Sequence, residues 1–188
     1  KPSGPKSHVR RGRSLMEMQD MEGAIAALQT AESLDPTNID AQYFLGVAYE
    51  RIGNREAAAE RYIQAADLDP SKAAYAIAAA EMMIDADRID DAEQFLIQRQ
   101  SDLEYSAGMR QTLGHIALLR GDAEKAVSLF TEARFMAPDD PSVLEDLARA
   151  EVATGRYAEA EYNLSNLLDK DGYDKRRDLL HMQARCLV

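Results

Sequence analysis

The chain is 188 residues long, with 46% hydrophobic and 29% charged residues, which is too apolar for a disordered segment and sufficient for a packed core. Its formal net charge of −11 repels nucleic-acid phosphates and anionic lipid, so neither is expected as a main partner. Only 6% of residues are aromatic, tryptophan is absent and alanine dominates the apolar set, a balance that favours close-packed helices over strands.

In chain order, the first thirteen residues carry Lys1, Lys6, Arg10, Arg11 and Arg13 and no acid. They read as a solvated lead-in or as a contact site for an acidic surface. Residues 1–7 look like linker, and the missing initiator methionine suggests a fragment or a processed chain with room for an upstream signal or anchor. From there one pattern returns with a step of 34. Small residues recur at Gly12, Gly46, Ala80, Gly114 and Ala148, and again, all alanine, at Ala24, Ala58, Ala92, Ala126 and Ala160. Four residues after each of those alanines stands a large apolar residue, Leu28, Tyr62, Leu96, Phe130 or Leu164, on the same helix face.

Turn signals lie between the small-residue series at Gly53-Asn54, Asp87-Arg88, Gly121-Asp122 and Gly155-Arg156, and units end near Pro36, Pro70, Pro138 or Gly172. The spacing predicts five helical hairpins over 8–174, at about 5–38, 39–72, 73–106, 107–140 and 141–174. Two helices cross closely only where both offer a small residue, and one hairpin cannot bury its own apolar face, so the copies stack. The first copy is degenerate, with Arg11 where Leu45, Leu113 and Leu147 stand later and with Val9 and Leu15 as its main apolar residues. The third departs at its end, where Arg99 replaces a small or apolar residue and Glu104 replaces proline; Arg99 is expected to loosen the hairpin there so that its charge reaches water. Residues 175–188 read as a terminal cap or as the first helix of a truncated sixth repeat.

These residues resemble the tetratricopeptide repeat family. The clearest copy runs from Tyr43-Phe44-Leu45-Gly46 through Ala58, Tyr62, Ala65 and Pro70, and the fourth matches nearly as well with Leu113-Gly114, Gly121, Ala126, Phe130, Ala133 and Pro138. The family's early tryptophan is replaced by His8, Gln42, Ala76, Arg110 and Leu144. The resemblance implies an all-α, right-handed solenoid of helical hairpins, a superhelix acting as a non-enzymatic scaffold that holds a protein or peptide in its concave groove. Projecting the family's groove positions gives Tyr43, Val47 and Glu50; Ile77, Glu81 and Ile84; Gln111, His115 and Leu118; and Glu145, Arg149 and Val152. Tyr43 either packs against the preceding hairpin or anchors a ligand. His115 is either a plain helix-face residue or a pH-sensing contact, and Glu145 and Arg149 are spaced to pair with each other. Some relatives grip a chaperone's C-terminal carboxylate with a basic clamp; Glu81, Glu145 and Asp146 stand at or beside those positions and oppose such a ligand.

Chemistry beyond binding finds little support. His8, His115 and His181 lie in different copies, His181 and Cys186 point to different faces of one helix, and no glycine-rich phosphate loop exists, so no catalytic, metal or cofactor site is expected. The acidic runs that begin at 85 and 169 have neither glycine at the sixth position nor glutamate at the twelfth, as a calcium loop requires, and read as helix caps, like Asp20, Asn54, Asp122 and Asp140. No stretch approaches the length of a membrane span; the longest apolar run covers 73–80. The lone Cys186 rules out an internal disulfide and leans to a reducing compartment, the cytoplasm. Leu179, Leu180 and Leu187 put more apolar surface on the last helix than one packed face needs, which makes self-association through it the alternative to groove binding.

Overall fold

Prolines and alanines determine where these helices stop and how near they come. In the computed structural model, which describes residues 4–101 and 106–187, the chain is all-α, a helical-hairpin solenoid, and divides into two compact units, Lys1–Glu104 and Tyr105–Val188. The first unit contains α1 (Pro5–Glu17), α2 (Met21–Leu34), α3 (Ile39–Arg51), α4 (Arg55–Leu68), α5 (Ala73–Asp85) and α6 (Ile89–Gln98). The second contains α7 (Ala107–Leu119), α8 (Ala123–Met136), α9 (Pro141–Ala153), α10 (Tyr157–Leu168) and α11 (Arg177–Cys186). Residues 1–3, Glu104 at its expected proline position and Val188 lie outside the described residues.

Each hairpin turns in the same way. The residue after the first helix's C-cap is left-handed: Gln19, Gly53, Asp87, Gly121 and Gly155 have φ of 64°, 79°, 61°, 78° and 77°. The following N–H reaches back five residues, as from Asn54 to the Tyr49 carbonyl at 2.9 Å and from Asp122 to that of Ala117 at 2.9 Å. This is a Schellman end whose final residue is already the N-cap of the next helix. Asp20, Asn54 and Asp122 accept hydrogen bonds there from the backbone of Gly23, Ala57 and Lys125, and Asp140 caps α9 from the residue before Pro141. Three of the second helices, α2, α4 and α8, end because a residue before proline is driven out of the α region: Asp35, Asp69 and Ala137 all leave helical backbone angles, each followed by its proline.

The recurring alanines lie at the helix crossings, and Ala24, Ala58, Ala92, Ala126 and Ala160 have no exposed surface. Leu28, Tyr62, Leu96, Phe130 and Leu164 are buried beside them. The glycines opposite leave no room for a side chain. A Cβ on Gly12 would come within 2.6 Å of Leu28, one on Gly46 within 2.6 Å of the Tyr62 ring, and one on Gly114 within 2.4 Å of the Phe130 ring.

Four expectations need correction. Residues 5–7 are the first turn of α1 rather than lead-in, because Pro5 at the first helical position is preset for the helix. Met16, not Leu15, joins Val9 in the buried face of α1. The last helix begins only at Arg177, with Arg176 as its N-cap. Arg99 does not loosen its hairpin. Its guanidinium lies 3.8 Å from the centre of the Phe95 ring and pairs with Asp67 of α4, so the side chain is held along the surface with its charge satisfied.

Candidate functional site

On a helix, residues i, i+4 and i+7 share a face. In the first unit this puts Tyr43, Val47 and Glu50 together on α3 and Ile77, Glu81 and Ile84 together on α5. Glu50 and Glu81 are exposed and the other four are half-buried. The Tyr43 ring sits among Phe44, Tyr75 and Tyr62, with centroids 5.2, 5.3 and 5.8 Å away, so packing holds it while part of it stays accessible. The Tyr62 hydroxyl donates to Glu50 at 2.6 Å, and burial together with that carboxylate pushes the phenol far above its ordinary range.

In the second unit the same spacing groups Gln111, His115 and Leu118 on α7 and Glu145, Arg149 and Val152 on α9, with His115 and Arg149 the most exposed. Asp146 draws the α7 residues together: Gln111 donates to its Oδ2 at 2.6 Å, and His115 Nε2 lies 2.8 Å from the same oxygen. Burial pushes the Asp146 carboxyl up, but the hydrogen bonds and charge of His115 and the bond from Gln111 outweigh it and hold the group below the usual carboxylate range. Glu145 and Arg149 do pair, at 2.7 Å, and belong to a larger set: Arg176 binds Glu145 at 2.9 Å and Asp178 at 2.7 Å, while Arg149 reaches Asp178 at 2.9 Å. Hydrogen bonds from Arg176 hold Asp178 well below the ordinary range.

Sequence reasoning missed three groups. His115 has Asp146 as partner, and Arg176 and Asp178 close the α9–α11 network; both lie near 31 residues along the chain, one helical turn short of the repeat step. The tryptophan substitutes Gln42 and Arg110 are buried and polar. Gln42 is satisfied by Glu32, the Pro36 carbonyl and Arg61, whereas Arg110 Nε forms an ion pair with Glu132 Oε2 at 2.8 Å and makes no hydrogen bond among the described residues. Subtracting 34 from Tyr43, Val47 and Glu50 would also have found Val9, Arg13 and Met16 at the same places on α1.

On α11, Leu179 is fully buried against Leu144, Ala148, Leu164 and Leu167, with Met182 and Cys186 packed beside it. It is unavailable to a second molecule, since the i, i+3 and i+7 positions form the inward face. Leu180 and Leu187 point outward, 44% and 71% exposed. The Cys186 thiol donates to the Met182 carbonyl at 3.3 Å, and burial raises its pKa. Among the described residues no helix is long and apolar enough to cross a membrane, and no three His, Cys, Asp or Glu side chains are placed to hold a metal.

This arrangement of paired helices with small residues at every crossing has known counterparts. Family profiles described as TPR repeat and tetratricopeptide repeat match residues 12–53, 42–74 and 117–178, together about two thirds of the chain. The chain belongs to the tetratricopeptide repeat family. Its fold is similar to that of a thermophilic TPR protein of Thermus thermophilus, at 19% identity over 98% of this chain and 99% of that one, with a TM-score of 0.68. PilF of Pseudomonas aeruginosa aligns at 19% identity over 97% of this chain and 88% of its own, with a TM-score of 0.75. YrrB, described as a TPR protein with an unusual peptide-binding site, aligns at 16% identity over 95% and 91%, with a TM-score of 0.68. At these identities the likeness is one of fold. No curated protein matches the sequence.

Proposed function

We propose that the chain is a non-enzymatic scaffold that binds a peptide or protein segment along the accessible face of its first-type helices. The tetratricopeptide fold points to a protein–protein interaction scaffold. The observation that carries the finer reading is that all twelve projected residues on α3, α5, α7 and α9 keep accessible surface, while the residues between them are largely buried. Each unit thereby offers apolar side chains beside charged ones, the mixture that suits an anchored, oriented peptide. YrrB's described peptide-binding site on a similar fold agrees with it.

Selection from a random peptide library on the intact chain tests this. Selected peptides should lose binding when the first-helix face is altered, as in Ile77→Lys or Leu118→Lys, and keep it in Glu60→Lys on the outer face of α4. Peptides lost only with Glu60→Lys would sink the reading. A second reading, self-association through α11, rests on the exposed Leu180 and Leu187, and sedimentation of Leu187→Glu against wild type at high concentration decides it.

A further inference from the structure

The face of α1 that looks onto α3 has an unusual character for so acidic a chain. Lys6, Arg10 and Arg13 recur at i, i+4 and i+7, so all three stand on one side of the helix, and all are exposed. They line a depression of about 330 Å³ over buried Val9, with Asn38 and Asp40 at its far wall. Arg13 also lines a second depression, of about 270 Å³, floored by Met16, Tyr43, Phe44 and Val47 and edged by Glu17 and Arg51. The two meet at Arg13, whose guanidinium lies 4.8 Å from the centre of the Phe44 ring. Arg51 is fixed in place by donating to the Met16 carbonyl at 3.3 Å.

The result is one trough along α1 and α3 with a basic half and an apolar half. Its walls carry four cations, Lys6, Arg10, Arg13 and Arg51, against two anions, Asp40 and Glu17. Thirteen helical residues span about 20 Å, which an extended peptide of about six residues would fill. Tyr43 and Val47 belong to the surface proposed above, so a binding role for the trough rests on that reading.

We infer that the α1–α3 trough binds an acidic peptide segment in which a cluster of carboxylates is followed, about three residues on, by an aromatic or large aliphatic side chain. The carboxylates face Lys6, Arg10 and Arg13, and the apolar side chain enters the hollow formed by Met16, Tyr43, Phe44 and Val47. Arg13, at the junction, is already aligned by Phe44 and meets both halves of the ligand. The chain as a whole carries a formal net charge of −11, which disfavours acidic segments away from this basic trough and confers selectivity of place as well as of ligand.

Fluorescence anisotropy on the intact chain tests this with a labelled, N-acetylated and C-amidated peptide of aspartates and glutamates followed by phenylalanine and leucine. It should bind, weaken as salt is raised, and weaken by about tenfold or more when serine replaces its phenylalanine or when the chain carries Arg10→Glu or Arg13→Glu. Arg13 packs on Phe44, so circular dichroism accompanies it; Arg10 is exposed, and its variant keeps the test independent of folding. Four outcomes would overturn the inference. The amidated peptide does not bind; only the free C-terminal carboxylate form binds; a single-stranded RNA oligonucleotide displaces the peptide equally well; or binding ignores Arg10→Glu and Arg13→Glu. If library-selected peptides are nevertheless lost with Ile77→Lys or Leu118→Lys, the broader surface stands and only the trough assignment fails.

Discussion

Gly114 and the ring it faces offer the sharpest test of the packing. A Cβ at this position would lie 2.4 Å from Phe130 Cε1, 2.7 Å from Cδ1 and 2.8 Å from Cζ, where carbon atoms ordinarily rest about 3.5–4.0 Å apart. Phe130 is fully buried, among Ala117, Ala126, Val127, Leu147 and Ala150, so the ring cannot swing into solvent. Gly114→Ala should therefore cost the upper part of the ~1–3 kcal/mol typical of overpacking, less the ~1 kcal/mol that alanine gains in a helix. The net loss comes to about 1–2 kcal/mol. Phe130→Leu alone should also cost about 1–2 kcal/mol, through lost apolar burial and a residual cavity. The double variant recreates the pair already present at Ala148 and Leu164, which share one core cluster, and should be no less stable than Phe130→Leu alone. Urea unfolding followed by circular dichroism measures all four members of the cycle. An unchanged or raised midpoint for Gly114→Ala, or strictly additive losses in the double variant, would show that the ring is not the wall that excludes the methyl group.

Gln19 holds φ of 64°, a conformation that costs a residue with a Cβ about 1 kcal/mol, so Gln19→Gly should raise the thermal midpoint; a lowered one would mean that the turn differs from the glycine turns. Arg99→Ala removes the Phe95 stacking and the Asp67 pair and should cost about 0.5–1.5 kcal/mol in urea unfolding, whereas neutrality would restore the view of Arg99 as a misfit. Asp146 has a folded pKa lowered from 3.8, so its contribution is fully present above that value and is lost as pH falls through the lower folded one. The stability gap between wild type and Asp146→Asn should accordingly shrink as pH is taken below about 4, and a gap that persists there would place the role of Asp146 in packing.

The crossings were legible because their residues answer to size alone. A helix pair that approaches closely needs Ala126 or Gly114 whatever surrounds it, so the requirement repeats with the step of 34 and shows in a single sequence. Polar residues answer to partners instead. Gln42 and Arg110 fill a position the family gives to tryptophan, and nothing local reveals that Glu32 and Arg61, or Glu132, will stand opposite. Arg99 looked like a defect for the same reason, since Asp67 stands 32 residues earlier on another helix. At the candidate surface, helical spacing placed each residue on the accessible side, but spacing does not report which charges are already engaged. Glu145 with Arg149 was visible as an i, i+4 pair. The bond from His115 to Asp146 depends on how α7 lies against α9, one turn away from the repeat equivalence.

The turns inside the hairpins carry no slack, because the residue that closes one helix also opens the next. An added residue there would rotate the second helix by about 100° and turn its alanine away from the crossing. Length can be taken up only in the connections between hairpins, such as 35–38, 69–72 and 137–140, each four residues long, and 169–176, which has eight. Insertions that this protein tolerates during its descent, and tags or epitopes grafted by design, should therefore collect in those connections and spare the hairpin tips, the reverse of the usual bias towards tight surface turns.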